Sequence, residues 1–192
     1  MAQRSLREQL IDGAAKVLLE RGFSAASVND IVVAAGVPKG SFYNHFPSKE
    51  ELAREVVRRY LAELALADLD RAKDSEDPIG ELRAHFARVI AQRTAAGIEY
   101  GCLLGNFSTD VSTLSEALRL DVEAGFEQWA SAVAVAIGRA QDLGRIATRH
   151  DPEVLARYVV AAFEGATARA KAMLDERPVA EFLDVTFGLL LA

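Results

Sequence analysis

The stretch Pro38-Lys39-Gly40-Ser41-Phe42-Tyr43-Asn44-His45-Phe46 crowds together five side chains that can hydrogen-bond or pair with phosphate: Lys39, Ser41, Tyr43, Asn44 and His45. Phe42 and Phe46 stand four residues apart, the spacing that puts two side chains on one helical face. They can anchor the segment to a core while the polar groups face outward. Donors and acceptors displayed from a short rod suit the base edges and phosphates of a major groove. Just beyond, Ser48-Lys49-Glu50-Glu51 opens another helix with a serine cap and a glutamate three residues on. Lys49 then sits in a first turn, beside amides that favour phosphate.

A second group with chemical potential is Cys102, the only cysteine. Gly101 before it places the thiol at the start of a helix, where the dipole favours thiolate. Equally, cysteine is a small apolar residue at home in a core, and no Lys, Arg or His lies within five residues to activate it. One cysteine makes no intramolecular disulfide, so an oxidising compartment is not implied. Phe86, Ile90, Phe107, Phe126, Trp129 and Phe163 are the candidates, with Cys102, for an apolar pocket between bundled helices; each also reads as plain core. His85 reads as a helix-surface or pocket-edge residue, and His150 precedes a helix start at Asp151-Pro152. No metal-ligand spacing joins the three histidines, and neither a metal nor a cofactor is expected. The chain has no Gly-rich phosphate loop, His-Glu-x-x-His helix or nucleophile elbow. No catalytic residue is therefore expected, and a cysteine-dependent enzyme is a reading Cys102 alone supports.

The elements that must position these groups are helical. Apolar residues recur at helical spacing through nearly every segment, and all five prolines (38, 47, 78, 152 and 178) fall at segment edges. Leu6, Leu10, Ala14, Val17 and Leu18 make the first stripe, and Gly22 stops it. Ser27-Val28-Asn29-Asp30 is a capping-box-like start for a second helix, which ends at Gly36. Pro38 starts a third. A long helix is expected from Glu50 to about Asp70, followed by a polar break at residues 73–78. Helical patterns resume at Ile79–Ala96, Cys102–Thr109, Leu114–Leu143, Pro152–Glu176 and Val179–Leu190. Small residues in the penultimate helix (Ala162, Ala166, Ala170) permit close helix approach, and the last one carries the stripe Phe182, Val185, Leu189, Leu190.

With 192 residues and 51% hydrophobic content the chain can bury a substantial core, which argues against disorder. The net charge of −6 is unevenly spread: residues 1–60 hold nine Lys/Arg against seven Asp/Glu, and residues 61–192 thirteen against twenty-one. A mildly basic end on an acidic body is compatible with phosphate binding, because attraction is screened within about 8–10 Å. No run of 18 uncharged apolar residues occurs and residues 1–8 lack the apolar stretch of a signal peptide, so a cytoplasmic location without membrane contact is expected.

Taken as one string, residues 10–56 resemble the DNA-binding domain of TetR-family regulators. The resemblance is carried by Gly22-Phe23, Ser27-Val28-Asn29-Asp30-Ile31, Ala34-Ala35-Gly36-Val37, the stretch from Lys39 to Phe46, and Ser48-Lys49-Glu50-Glu51-Leu52. It implies operator contacts at Ser27, Lys39, Gly40, Ser41, Tyr43, Asn44, His45 and Lys49. Lys39 and Lys49 would bear on phosphates or groove edges, Ser27 and Tyr43 on the DNA backbone, and Ser41, Asn44 and His45 would lie near base edges; Gly40 would allow close approach. Asn44 departs from the aromatic or histidine often found there, which bears on operator sequence. Residues 100–119, from Tyr100-Gly101-Cys102-Leu103-Leu104 onward, are similar to the ligand domains of the NemR-like and AcuR-like branch, whose effectors include electrophiles and small unsaturated acids or aldehydes. The resemblance implies an all-α chain: a three-helix helix-turn-helix domain (residues 1–50) and a helical ligand-binding and dimerisation domain (51–192). Its expected partners are double-stranded operator DNA, a small-molecule effector and a second copy in a homodimer. A ligand-binding helical dimer without DNA binding is the competing reading, disfavoured by Lys39, Tyr43 and Lys49.

Overall fold

The computed structural model describes residues 5–64, 66–146 and 150–191, among which no strand occurs. Residues 1–4, part of the stretch read for a leader, lie outside them. By packing, the chain divides into two units: residues up to Leu61 with Leu103–Gly125, and Ala62–Cys102 with Phe126 onward. A cut at residue 50 follows the DNA-binding motif, whereas packing follows apolar faces that the chain supplies later.

In the first unit, α1 (Leu6–Ala25) starts under a Ser5 cap that accepts the Glu8 amide at 3.2 Å and buries Leu10, Ile11, Ala14, Val17 and Leu18. Gly22, at φ +78°, breaks the helical path before Phe23, as its position in the stripe led one to expect. The predicted capping box opens α2 (Val28–Ala35): Ser27 and Asp30 satisfy each other's amides, and Gly36 closes the helix at φ +66°. The α1 and α2 backbones come so close at Gly13 that a Cβ there would stand 2.7 Å from the Ala35 nitrogen. Only glycine fits that crossing. The third segment is a 3₁₀ helix, Lys39–Asn44, in place of an α-helix. Gly40 and Ser41 are weak helix formers, and the Ser41 amide reaches back three residues to the Pro38 carbonyl at 2.9 Å. Helix α3 (Lys49–Glu63) follows, opened by the Ser48 hydroxyl accepting the Glu51 amide at 3.1 Å. It ends earlier than the expected Asp70; Ala65 lies outside the described residues, and Leu66–Lys73 is a separate 3₁₀ helix. Helix α5 (Leu103–Asp110) and the beginning of α6 (Glu116–Asp142) complete this unit, burying Leu104, Phe107, Leu118 and Val122.

The second unit contains α4 (Pro78–Ala96), the 3₁₀ turn Ile98–Tyr100, the rest of α6, α7 (Pro152–Met173) and α8 (Arg177–Val185), which ends in a π-helical turn, Thr186–Leu190. Asp77 and Asp151 cap α4 and α7 ahead of their prolines, so both starts were readable from sequence. The core is an aromatic cluster. Phe86 stacks on Trp129 at 5.8 Å and meets Phe163 and Phe182 at 5.1 and 5.2 Å. Trp129, Phe86 and Phe163 are fully buried. No helix among the described residues is long and apolar enough to cross a membrane.

Candidate nucleic-acid interface and effector site

The 3₁₀ segment is built as a display. Phe42 and Phe46 are buried, with ring centroids 6.2 Å apart, while Lys39, Gly40, Tyr43, Asn44 and His45 are exposed. Tyr43 stands edge-on to Phe42 at 5.1 Å, which steadies its ring while 64% of the residue faces solvent. Exposing that much aromatic surface costs hydrophobic stabilisation, the pattern of a surface kept for a partner. Ser41 is half-buried and its hydroxyl donates to the Pro38 carbonyl. Ser27 is exposed, but its hydroxyl and amide are committed to Asp30. The Ser27 hydrogen bonds hold the Asp30 carboxyl below the usual range, with Arg21 at 2.9 Å adding to the effect.

Lys49 differs from the expectation that it faces phosphate. Its ammonium donates to the carbonyls of Phe23 at 2.6 Å and Ala26 at 2.7 Å and lies 4.2 Å from the centre of the Phe23 ring. Partial burial lowers its pKa, opposed by the nearby Asp110 charge. The reason is local: Phe23 and Ala26 lie in the last residues of α1 and at its C-cap, where carbonyls lack helical partners, and a lysine in the first turn of α3 reaches them. In this conformation Lys49 ties α1 to α3.

Asp110, at the end of α5, grips the same corner. Its carboxylate accepts the Ser24 amide at 3.0 Å and a short hydrogen bond from the Ser24 hydroxyl. Burial raises the Asp110 pKa, but the bonds from Ser24 and Phe23 and the Lys49 charge more than offset it, and the net shift is downward. A Cβ on Gly22 would meet this carboxylate at 2.8 Å. Phe107, one turn earlier, packs edge-on against Phe23 at 6.3 Å. Phe107, a pocket candidate, thus packs within the first unit on Phe23, a partner that the spacing within α5 does not reveal.

The remaining pocket candidates lie in the second unit. Phe86, Trp129 and Phe163 form its core; Ile90 and Phe163 border a cavity of about 20 Å³, and Phe126 borders an open cleft of about 370 Å³ between α6 and α7. Cys102 is buried, one residue before α5. Its thiol bonds the Glu164 carboxyl group, and Arg93 stands 3.8 Å from Glu164. The neighbour the thiol meets, a carboxyl group from a helix distant in sequence, does not favour thiolate. His85 also departs from expectation: it is 1% exposed, its Nε2 accepts the Trp129 indole N–H at 3.1 Å, and burial with the charge of Arg88 pushes its pKa down to about 4. Arg93, Glu164, Thr167 and Asp110 were not singled out from the sequence. A signal existed for the first three, since Arg93 continues the stripe of Phe86 and Ile90, and Thr167 and Glu164 flank that of Val160, Phe163 and Ala170.

Comparison with known proteins follows this division. Residues 10–56 match the family described as bacterial regulatory proteins, tetR family, and residues 78–186 match the tetracyclin repressor-like C-terminal domain. The chain is 38% identical over 192 residues, all of this chain and 95% of the other, to the HTH-type transcriptional repressor DhaR of Mycobacterium sp. (strain GP1). It is 33% identical over 183 residues to the transcriptional regulator AcuR of Cereibacter sphaeroides, covering 94% of this chain and 83% of that one. A crystal structure of regulatory protein TetR from Rhodobacter sphaeroides superposes with a TM-score of 0.85 at 32% identity, over 94% of this chain and 96% of the other. With both halves matched and relatives aligned over nearly the full length, the chain belongs to the TetR family of bacterial transcriptional regulators.

Proposed function

We propose that the protein is a repressor that holds operator DNA as a homodimer and releases it when a small effector occupies the C-terminal unit. The observation that carries this is the exposed row Lys39, Tyr43, Asn44 and His45 on a segment pinned by buried Phe42 and Phe46. Two such segments related by a twofold would enter successive major grooves about 34–36 Å apart on a pseudopalindrome. Pairing is supported by the apolar residues left exposed along α7 and α8, among them Val154, Tyr158, Val185 and Leu189. The protein acts in the cytoplasm and is not an enzyme; the relatives named above are regulators.

The effector is a small molecule, an electrophile or unsaturated compound among the candidates, and lowers operator affinity by binding more tightly to a conformation with different head spacing. Asp110 and Phe107 support a route for this signal, because α5 begins next to Cys102 and ends on the corner between α1 and α2. Cys102 is either a sensor or a packing residue. Cys102→Ser distinguishes them, since unchanged effector-triggered release removes the sensor role.

The test is a gel shift with the DNA upstream of the protein's own coding region. Lys39→Ala and Tyr43→Ala should each weaken binding by about 1–3 kcal/mol while leaving helicity and the dimer intact, and binding should fall steeply with salt. Wild-type affinity in both variants, or salt-independent binding, would sink the assignment.

A further inference from the structure

A 3₁₀ helix has poorer hydrogen-bond geometry than an α-helix, so the segment that displays Lys39, Tyr43, Asn44 and His45 depends on what pins it from outside. Phe42 sets its middle in the core, fully buried. Phe46, two residues past its end, is the second anchor. The Phe42 carbonyl accepts the amides of both His45 and Phe46 at 3.0 Å, so a single acceptor holds this last turn. A shift of Phe46 is therefore passed to His45 and Asn44, which directly precede it and are exposed.

Over the Phe46 ring lies the guanidinium of Arg7, 5.1 Å from its centre. Arg7 stands in the first turn of α1, and the same side chain reaches Glu55 on α3 at 3.1 Å. The hydrogen bond from Arg58, with that from Arg7 added, keeps the Glu55 carboxyl below its usual range against the effect of burial, so this partner stays charged at neutral pH. A guanidinium suits the place because its plane stacks on a ring while its edge donates to a carboxylate. The two helices are joined elsewhere as well: Arg59 meets Glu8 at 3.4 Å and Asp12 at 2.7 Å, and Lys49 holds the far end of α1. Half-exposed ion pairs contribute little to folding, so what Arg7 adds is its hold on Phe46. Arg7 also precedes residues 10–56, over which the chain matches the tetR family.

We propose that Arg7 is a positioning residue for base reading: clamped by Glu55, it fixes Phe46 and thereby the placement of Asn44 and His45 against base edges, without itself touching DNA. The inference rests on reading the displayed segment as the part that contacts the operator. Base edges are read by donors and acceptors that must be held within about 0.5 Å, whereas attraction to phosphate is indifferent to sequence and tolerant of small movements. Loosening Phe46 therefore weakens specific binding and spares binding to unrelated DNA.

The test compares the wild type, Arg7→Lys and Arg7→Ala on two duplexes of equal length, the DNA upstream of the coding region and a scrambled sequence, over a range of salt. Both variants should bind the upstream duplex about fivefold or more weakly, hold the scrambled one to within about twofold, and keep the slope of log affinity against log salt. Lysine retains the charge, so its loss of affinity reports the missing stack and fork. If Arg7 met a phosphate instead, Arg7→Lys would bind like the wild type, and Arg7→Ala would weaken on both duplexes with a slope smaller by about one. That result would overturn the proposal, as would a lowered Tm with the ratio of the two affinities unchanged, the mark of a merely structural role. Amide hydrogen exchange on the free protein supplies a readout without DNA: His45 and Phe46 should exchange about threefold or more faster in both variants while Leu52 does not change. Wild-type exchange at His45 and Phe46 would show that Arg7 does not hold them and would likewise overturn the proposal. A wild type that binds both duplexes alike would remove the operator reading and base reading with it, while the exchange result would still decide whether Arg7 fixes Phe46.

Discussion

The two units solve opposite problems with the same kind of helix. The first keeps its polar groups at the surface and ties its short helices with local devices: the Ser27–Asp30 box, the Gly36 stop and the Lys49 ammonium on two carbonyls. The second hides polar groups among aromatic rings, where His85, Arg93, Glu164 and Thr167 share a core with Trp129, Phe86 and Phe163. A surface meant for a rigid, charged partner needs its donors outward and its backbone fixed. A unit that binds a small molecule gains from polar groups held inside an apolar core, because a few placed polar groups orient a ligand there.

The sharpest way to break this contrast is Phe86→Ala. Phe86 touches Trp129, Phe163, Phe182 and Phe187, and its truncation should cost about 3–5 kcal/mol in urea unfolding. A loss under about 1 kcal/mol would mean that the aromatic cluster does not hold the second unit together.

Next comes pH. The folded His85 pKa of about 4 lies below the ordinary value of 6.5, so the unfolded chain takes up its proton first as pH falls. The stability His85 contributes is complete above pH 6.5 and is lost between there and about pH 4, by about 3 kcal/mol. Glu164, with its raised pKa, works in the opposite direction, so the comparison must be with His85→Gln, which keeps an acceptor for Trp129 and does not titrate. If the variant loses stability over that window as steeply as the wild type, buried neutral His85 is not part of the second unit's energetics.

The smallest of the three effects belongs to the first unit. Lys49→Met removes two charge-assisted bonds and should lower stability by about 1.5–3 kcal/mol, read as a lower Tm. Were Lys49 spent on phosphate, the variant would instead keep its Tm and reduce the salt dependence of operator binding by about one unit of slope.

How much was legible follows the same division. Caps, glycine stops and prolines named the starts of α2, α4 and α7 to within a residue, because those signals act over three or four positions. The Phe42 and Phe46 anchors and the outward row between them were legible for the same reason. The 3₁₀ form of that segment was not, since spacing distinguishes poorly between two tight helices over two turns. The end of α3 was also missed, as its stripe runs on past Glu63 without a breaker.

By itself, the order of residues determined an all-helical chain, a reading segment with its polar face, and membership of the TetR family; these depend on contacts within one or two helical turns. Only the tertiary structure decided that Lys49 clasps carbonyls, that Phe107 packs on Phe23, and that Cys102 meets Glu164 beside Arg93. Those facts depend on which helix faces which. Helical periodicity says which side of a helix is buried and is silent about the neighbour that buries it.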